Sequence, residues 1–266
     1  MSILVNNSNF QNLMFKKAIV RKPCKNLING LTNAGLGKPD YQLALKQHQR
    51  YIEALEKYGL DVIVLEADEN YPDSTFVEDT ALLTPHCAIV TNPGASSRKG
   101  EIIEMNSILK SQFSNIDYIT APGTLEAGDV MKVGKHFYIG ISERTNQNGA
   151  YQLVNILKRY GYTSSTLNVG NTLHLKSGVS YLEKNNLLSI KNFIDKADFQ
   201  ELNIIPVDDD ESYAANSLWI NDKIMVPYGF PKTEEKIKNA GYTVIDIDVS
   251  EFRKLDGGLS CLSLRF

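Results

Sequence analysis

One repeated pattern constrains the fold of this chain more than any other feature. A helix is predicted from residue 40 to Gly59, a residue suited to the left-handed C-terminal position, and a buried strand at 60–65 follows it directly. The apolar face of this helix is expected at Tyr41, Leu45, His48, Ile52 and Leu55. The same order of helix, glycine and strand recurs at 150–167 and at 233–247. Three copies of one unit indicate an internal repeat.

Apolar runs separate these units and supply further strands. They cover residues 81–90, 131–141, 179–190 and 217–226. The last three carry Gly134-Lys135, Asn185-Asn186 and Asn221-Asp222 at their centres, which is typical of β-hairpins. Two more helices are predicted near 101–113 and 191–199.

Helix, strand, polar loop and hairpin together form a module that recurs roughly every 36 to 50 residues. Five such modules predict a single α/β domain over 1–266. The fifth module is split, because its C-terminal strand at 262–266 needs the N-terminal strand at about 15–21 as a partner. This pairing would close a ring around a central channel, and the polar loops would meet at its axis.

Composition excludes several classes of function. The net charge is -3 and the basic residues are scattered, which argues against nucleic acid as a partner. No apolar run is long enough to span a membrane, and the N-terminus does not resemble a signal peptide, so a cytoplasmic protein is expected. Three cysteines without a C-x-x-C pair and four distant histidines predict neither a disulfide framework nor a zinc site. We expect no metal and no cofactor.

The five polar loops contain the residue types of a covalent hydrolase. They cover 72–79, 124–129, 171–178, 208–216 and 255–261. Cys261 is the candidate nucleophile, and His174, the only histidine in these loops, is the candidate general acid and base. Glu126 is the candidate carboxylate that orients the imidazole.

Charged residues in and near the loops suggest what the substrate is. Asp73, Glu78 and Asp79 form an acidic loop with apolar neighbours, and carboxylates of this kind match the planar N–H groups of a guanidinium. Arg98 and Arg144 follow predicted hairpins, where they could hold the carboxylate of an amino acid. The pattern therefore favours an arginine-like small molecule.

Simpler interpretations stay open for each of these features. A free cysteine usually packs as a small hydrophobic residue, and we expect this of Cys24 and Cys87. The acidic loop could be a solvated turn, and either arginine could be a surface charge. The run 208–211 is more typical of a solvated acidic turn, and the glycine-rich segment 30–39 is either a surface loop or an active-site lid.

The loop sequences together resemble the dimethylarginine dimethylaminohydrolase family, in its compact bacterial form, from about Phe15 to Phe266. The motifs are Phe76-Val-Glu-Asp79, Leu125-Glu-Ala-Gly-Asp129, Arg144-Thr-Asn146, Leu173-His-Leu-Lys-Ser-Gly178, Ser212-Tyr-Ala-Ala-Asn216 and Asp256-Gly-Gly-Leu-Ser-Cys261. The resemblance implies the five-bladed αβ-propeller of the pentein superfamily, built from ββαβ-type modules. It also implies hydrolysis of asymmetric dimethylarginine and monomethylarginine to citrulline through a covalent thiouronium on Cys261.

The resemblance assigns roles to individual residues. Cys261 attacks the guanidinium carbon, His174 protonates the leaving amine and then activates water, and Glu126 supports the histidine. The substrate-binding positions it implies are Leu31, Asp73, Glu78, Asp79, Arg98, Arg144 and Leu255, the last through its backbone. Departures occur at Ala127, where many relatives have glycine, and at Ser217.

Three rival functions are considered. An arginine deiminase or dihydrolase of the same superfamily would share the thiol, the imidazole and the acidic loop. A papain-like protease would place its cysteine before its histidine, and here the order is reversed. A non-catalytic pentein that binds a partner would not require Cys261, His174 and Glu126 together. The oligomeric state, a homodimer included, and the preference among methylated arginines are not fixed by the sequence.

Overall fold

The computed structural model describes residues 14–194 and 196–266, without the side chain of Ile194. Its helices are α1 Tyr41–Lys57, α2 Ile102–Gln112, α3 Gln147–Arg159, α4 Lys191–Ile194, α5 Pro231–Asn239 and α6 Ser250–Arg253. Its strands are β1 Lys17–Arg21, β2 Asp61–Leu65, β3 Ala81–Leu83, β4 Ala88–Val90, β5 Ile116–Tyr118, β6 Val130–Val133, β7 His136–Ile141, β8 Thr163–Asn168, β9 Val179–Tyr181, β10 Asn186–Ser189, β11 Asn203–Pro206, β12 Leu218–Ile220, β13 Lys223–Pro227, β14 Thr243–Ile247 and β15 Leu264–Arg265.

The repeated helix–glycine–strand unit is confirmed in all three copies. Gly59, Gly161 and Gly241 follow the ends of α1, α3 and α5 with φ values of 91°, 76° and 89°. A side chain is strained in this left-handed region, so glycine lets the chain turn directly from the helix into the strand. Helix α1 begins where predicted, because the Asp40 side chain accepts hydrogen bonds from the backbone N–H groups of Gln42 and Leu43.

The strands form five small sheets of identical topology. Their orders are β3-β4-β5, β6-β7-β8, β9-β10-β11, β12-β13-β14 and β15-β1-β2. In each sheet an antiparallel pair comes first, and a strand parallel to the middle one follows. In the first four sheets a helix connects the middle strand to the last, and α1 makes the same connection in the fifth. The protein is a five-bladed αβ-propeller of ββαβ modules.

The fifth sheet joins the two ends of the described chain. Strand β15 pairs antiparallel with β1, with Ala18 opposite Arg265 and Ile19 opposite Leu264. The Phe266 carbonyl also accepts hydrogen bonds from the backbone N–H groups of Lys16 and Lys17, both at 2.8 Å. One sheet therefore combines strands from the beginning and the end of the described chain.

Some boundaries and faces differ from the prediction. The buried face of α1 runs through Ala44, His48, Tyr51 and Leu55, whereas Tyr41 and Leu45 are only half-buried. Helix α4 ends at Ile194 and a 3₁₀ turn covers Ala197–Phe199, so the helix expected to extend to residue 199 is wrong in length. Strand β15 is shorter than expected because Leu262 belongs to a 3₁₀ turn.

A short 3₁₀ turn precedes the first strand of every blade. These turns are Val77–Thr80, Ala127–Asp129, Leu175–Ser177, Asp209–Ala215 and Ser260–Leu262. The first strands lie at the centre of the ring, where β15 contacts β3, β6 contacts β9 and β9 contacts β12. We call these five segments the central turns. They carry the chemically important residues, because equivalent positions of a propeller converge on its axis.

Candidate active site

A narrow cleft at the central turns brings together most of the predicted site residues. Its predicted members are Leu31, Asp73, Asp79, Arg98, Glu126, Arg144, His174, Leu255 and Cys261, and the side chain of Phe76 and residues Thr32, Asn33, Leu173, Asp256 and Gly257 complete the lining. The members lie far apart in the sequence, between Leu31 and Cys261, so the ring brings them together. Glu78 is the one predicted residue that does not line the cleft.

His174 and Glu126 form a buried pair in this cleft. The imidazole Nε2 lies 2.8 Å from Glu126 Oε2, while Glu126 Oε1 accepts hydrogen bonds from the backbone N–H groups of Gly94 and Ala95. Burial lowers the pKa of His174, but the nearby Asp79 and the hydrogen bond to Glu126 outweigh it and raise the pKa to about 9. Burial raises the pKa of Glu126, but His174 and Arg98 outweigh it and lower the pKa to about 2. The pair therefore rests as an imidazolium and a carboxylate at neutral pH.

Gly128 permits the close approach of this pair to Asp79. A Cβ atom at position 128 would lie 2.8 Å from His174 Nδ1 and 2.9 Å from Asp79 Oδ1, and neither buried group could move away easily. The Gly128 N–H also donates to Asp79 Oδ1 at 3.0 Å. The glycine in the Leu-Glu-Ala-Gly-Asp motif is therefore required for packing around the reactive groups.

Arg98 is engaged by protein carboxylates. Its Nη1 lies 2.6 Å from Asp79 Oδ2, its Nε and Nη2 bond to Glu101, and Nη2 also donates to the Phe76 carbonyl. The side chain is buried and surrounded by these acceptors. The prediction that Arg98 holds the carboxylate of a substrate disagrees with this geometry, since its donors already have partners. Arg98 instead orients Asp79 and balances its charge.

Arg144 is available to hold the carboxylate of a substrate. Its guanidinium lines the cleft, is half-buried, and forms no ion pair within residues 14–194 and 196–266. The backbone around it is fixed, because the Arg144 N–H donates to Ser142 Oγ at 3.0 Å.

Cys261 lies in a negative environment. Its Sγ accepts a hydrogen bond from the Gly258 N–H at 3.4 Å. Burial raises the pKa of the thiol to about 12, and the charges of Glu78 and Asp79 act in the same direction. The resting thiol is therefore neutral at physiological pH.

Asp73 connects the cleft to the glycine-rich segment 30–39. Its carboxylate accepts the Leu31 N–H at 3.0 Å, and the same segment donates from Thr32 Oγ1 to the Lys254 carbonyl and from the Asn33 N–H to Asp256. Burial raises the pKa of Asp73. The segment thus contacts the acidic wall and the loop before Cys261, and Leu31 and Leu255 both line the cleft.

Glu78 points to the opposite side of the central turns. Its Oε1 lies 2.7 Å from Lys176 Nζ and 3.3 Å from Arg265 Nη2, and its Oε2 accepts a hydrogen bond from Ser260 Oγ. The prediction that Glu78 contacts the substrate disagrees with this position. Adjacent residues of a turn point in different directions, so Asp79 lines the cleft while Glu78 lines a second cavity.

Sequence reasoning missed a network behind the cleft. Buried Asp129 accepts the Leu175 N–H at 3.0 Å and the Ser142 hydroxyl at 2.6 Å, and Ser142 Oγ accepts the N–H groups of Arg144 and Thr145. Asp129 thereby fixes the residue after His174 together with the backbone of Arg144. Its place at the end of the Leu125–Asp129 motif was the available signal.

One cluster in the described residues has donor atoms close enough to hold a metal ion. Asp79, Glu126 and His174 each offer one atom, all within 4.8 Å of one another. Arg98 Nη1 lies 2.6 Å from Asp79 and 3.9 Å from Glu126, so a protein cation already balances these carboxylates.

A transmembrane helix is not found among the described residues, because none of their helices combines the necessary length with the necessary hydrophobicity.

The propeller and its central cleft define this protein as a pentein hydrolase of amidine groups with a cysteine nucleophile. A family model described as "N,N dimethylarginine dimethylhydrolase, eukaryotic" matches residues 37–263. An N(G),N(G)-dimethylarginine dimethylaminohydrolase of Pseudomonas aeruginosa is 51% identical over 255 residues, which cover 95% of this chain and 100% of that protein. The chain belongs to the dimethylarginine dimethylaminohydrolase family, as its motifs indicated.

Other relatives agree with this assignment. The Streptomyces coelicolor protein of the same name is 34% identical, covering 94% of this chain and 96% of its own. A solved structure of a cysteine-to-serine mutant of the Pseudomonas protein with citrulline has a TM-score of 0.94 at 50% identity, covering 96% of this chain and 100% of that one. The N-terminal domain of the cyanobacterial arginine dihydrolase ArgZ has a TM-score of 0.85 at 17% identity, covering 94% and 97%, which shows a shared fold.

Proposed function

We propose that this protein hydrolyses asymmetric dimethylarginine and monomethylarginine to citrulline, releasing dimethylamine or methylamine. The observation that carries the proposal is the cleft in which Cys261, the His174–Glu126 pair and Asp79 converge, in a chain that belongs to this family. A thiol, a protonated imidazole and carboxylates together supply a nucleophile, an acid and a binding site for a cation.

In the proposed binding mode, the guanidinium lies against Asp79 and Glu126 while Arg144 holds the α-carboxylate. Asp73, Leu31 and Leu255 line the same cleft, and in this binding mode Leu255 acts through its backbone. A planar guanidinium offers N–H groups that match carboxylate oxygens, which explains why the acidic wall is buried.

The proposed chemistry proceeds in two steps. After the cationic substrate binds, the Cys261 thiol loses its proton to solvent, the thiolate attacks the guanidinium carbon, and the C–N bond to the methylated nitrogen breaks. His174 gives its proton to the departing amine, leaving a thiouronium on sulfur. Neutral His174 then takes a proton from water, the resulting hydroxide attacks the same carbon, and the C–S bond breaks as the hydroxyl proton of the adduct moves to sulfur, which gives citrulline and the thiol side chain.

The test supplies asymmetric dimethylarginine, monomethylarginine, arginine and agmatine separately and quantifies citrulline, methylamines and ammonia. We expect citrulline with an equal amount of dimethylamine from the first substrate and with methylamine from the second. Cys261→Ser and His174→Ala, measured with the same substrates, serve as inactive references. Faster ammonia release from arginine than methylamine release from either methylated substrate would establish the deiminase or dihydrolase alternative instead.

We also propose that the chain is a single domain that acts in the cytoplasm. The split fifth blade supports one domain, because its sheet combines strands from both ends of the described chain. Cys24, Cys87 and Cys261 are all free thiols, which is typical of a reducing compartment. A homodimer stays a prediction, to be checked by sedimentation velocity.

A further inference from the structure

A second cavity lies inside the ring, behind the catalytic cleft. It has a volume of about 480 Å³ and shares no lining residue with the cleft. Three central turns separate the two spaces: Asp79, Glu126 and Cys261 line the cleft, while the adjacent Glu78, Ala127 and Ser260 line the cavity. Pockets that bind small molecules typically measure about 300–1,000 Å³, so this space is large enough for a ligand.

The end of the cavity nearest the cleft has an excess of positive charge. Glu78 is the single carboxylate there, and it pairs with both Lys176, at 2.7 Å, and Arg265, at 3.3 Å. Lys16, Lys132 and Glu183 line other parts of the wall. The lining thus carries four cationic and two anionic side chains, although the whole chain has a net charge of -3.

The remaining wall is largely apolar. Aromatic side chains contributed by several blades line it, namely Phe15, Phe113, Phe137, Tyr181, Trp219 and Phe266. Phe15 and Trp219 meet edge to face with ring centroids 5.8 Å apart, and Phe113 and Phe266 lie 5.1 Å apart. Apolar and aromatic walls with a few placed charges are typical of small-molecule sites.

We propose that this cavity binds a small amphipathic carboxylate, with its anionic end at Lys176 and Arg265 and its apolar part against the aromatic wall. A carboxylate would pair with the cationic charge that Glu78 alone does not balance. Lys176, whose Nζ carries three N–H groups and bonds to Glu78, supplies the charge-assisted hydrogen bonds, whereas Arg265 contributes its charge because its Nη1 is already bonded to the Ser260 and Ser263 carbonyls. Burial of the apolar part would supply the remaining affinity. The proposal concerns binding alone and does not depend on the proposed reaction.

Trp219 gives a direct readout, because it is the only tryptophan of the chain and lines the cavity. The experiment titrates the full-length protein with 4-phenylbutyrate and, separately, with the neutral 4-phenylbutanamide while following tryptophan fluorescence. We expect a saturable change with the acid, at a Kd at least tenfold below that of the amide. Saturating citrulline should leave the acid's Kd unchanged, since the two spaces share no lining residue.

Two variants locate the contact. Lys176→Met should weaken binding of the acid at least tenfold and leave that of the amide unchanged, whereas Lys135→Met, at an exposed lysine outside the cavity, should leave both unchanged. Equal responses to the acid and the amide, or none to the acid, would overturn the proposal. Loss of the acid's signal in the presence of citrulline would overturn it too, by placing the ligand in the catalytic cleft. The comparison of acid with amide on the unmodified protein decides the question even if Lys176→Met fails to fold.

Discussion

At the scale of single residues, the charges around Cys261 oppose formation of its own nucleophile. Glu78 and Asp79 disfavour a thiolate, and burial does so more strongly. The same negative field binds a guanidinium, and a bound cation reverses the sign of the potential at sulfur. The substrate is therefore expected to activate the group that attacks it.

The first prediction concerns the pH dependence of thiol alkylation. Because burial and the acidic neighbours raise the pKa of Cys261 to about 12, its alkylation by the neutral reagent iodoacetamide should still increase with pH at pH 9. An amidine reagent that mimics the substrate should react faster and at lower pH, since its cation favours the thiolate. Mass spectrometry of peptides assigns the modified thiol and separates it from Cys24 and Cys87. A plateau below pH 7 with iodoacetamide would contradict the idea.

The second prediction concerns Arg144, the cleft arginine that pairs with no carboxylate among the described residues. Arg144→Ala should raise KM for methylated arginines roughly 50-fold, since a hydrogen-bonded charge pair contributes about 2–3 kcal/mol. Any slow turnover of agmatine, which lacks the carboxylate, should be unaffected. Arg159→Ala, which removes an exposed arginine paired with Asp117, is the matched control and should leave KM near that of the parent. Equal losses on both substrates would remove Arg144 from this role.

The third prediction concerns the cluster of Asp79, Glu126 and His174. We expect full activity after prolonged incubation with a chelator and dialysis, because Arg98 and the imidazolium already supply positive charge beside the carboxylates. The measurement is the initial rate with asymmetric dimethylarginine before and after treatment. Activity lost to the chelator and restored by one metal would assign a metal to the cluster.

At the scale of elements, the turn after β7 connects two functions of the cleft. Ser142 lies directly after this strand and bonds at once to Asp129 and to the N–H groups of Arg144 and Thr145. Asp129 in turn holds the Leu175 N–H beside His174. One hydrogen-bonded unit thus positions both Arg144, the proposed partner of the substrate carboxylate, and His174, the proposed general acid.

The fourth prediction tests this unit. Ser142→Ala leaves two N–H groups without their acceptor and removes one of the hydrogen bonds to the buried Asp129 carboxylate, at a cost of about 1–3 kcal/mol to stability. It should also raise KM for methylated arginines more than it lowers kcat, since the backbone of Arg144 loses its acceptor. Ser189→Ala is the control, because it removes a buried hydroxyl that donates to the carbonyl of the next residue, Ile190, outside the cleft lining. The two variants would have the same KM if the network had no functional role.

At the scale of the whole molecule, the ring closes through a strand of only two residues. Leu264 and Arg265 supply the antiparallel partner of β1, and Phe266 adds three further backbone hydrogen bonds. Cys261 lies three residues before this strand, so closure of the ring also fixes the position of the nucleophile.

The fifth prediction is that deletion of residues 264–266 opens the fifth blade. Loss of the backbone ladder and of buried Leu264 should cost about 4 kcal/mol and lower Tm by roughly 10 °C, with most activity lost. Arg265→Gln retains the backbone pairing but loses the side-chain contacts to Glu78 and to the Ser260 and Ser263 carbonyls, so it should lower Tm by less than the deletion does. Calorimetry and initial rates measure both variants. A truncated protein with unchanged Tm would show that the closure contributes little.

The sequence by itself determined the repeat and the chemistry that it carries. Helix periodicity, the glycines after α1, α3 and α5, and the hairpin turns are local signals, because each depends on residues only a few positions apart. They predicted five modules and the split blade. The sequence motifs of the polar loops then identified Cys261, His174 and Glu126, all of which line one cleft.

The tertiary structure decided which side of each central turn faces the cleft. Glu78 and Asp79 are adjacent and chemically alike, and only the packing of the turn assigns Asp79 to the cleft and Glu78 to the cavity. The sequence does not distinguish Arg98 from Arg144. In the structure, the guanidinium of Arg98 pairs with both Asp79 and Glu101, which lies three residues after Arg98. Side-chain direction and the choice of ion partner depend on contacts between distant blades, and a pattern of neighbouring residues carries no information about those contacts.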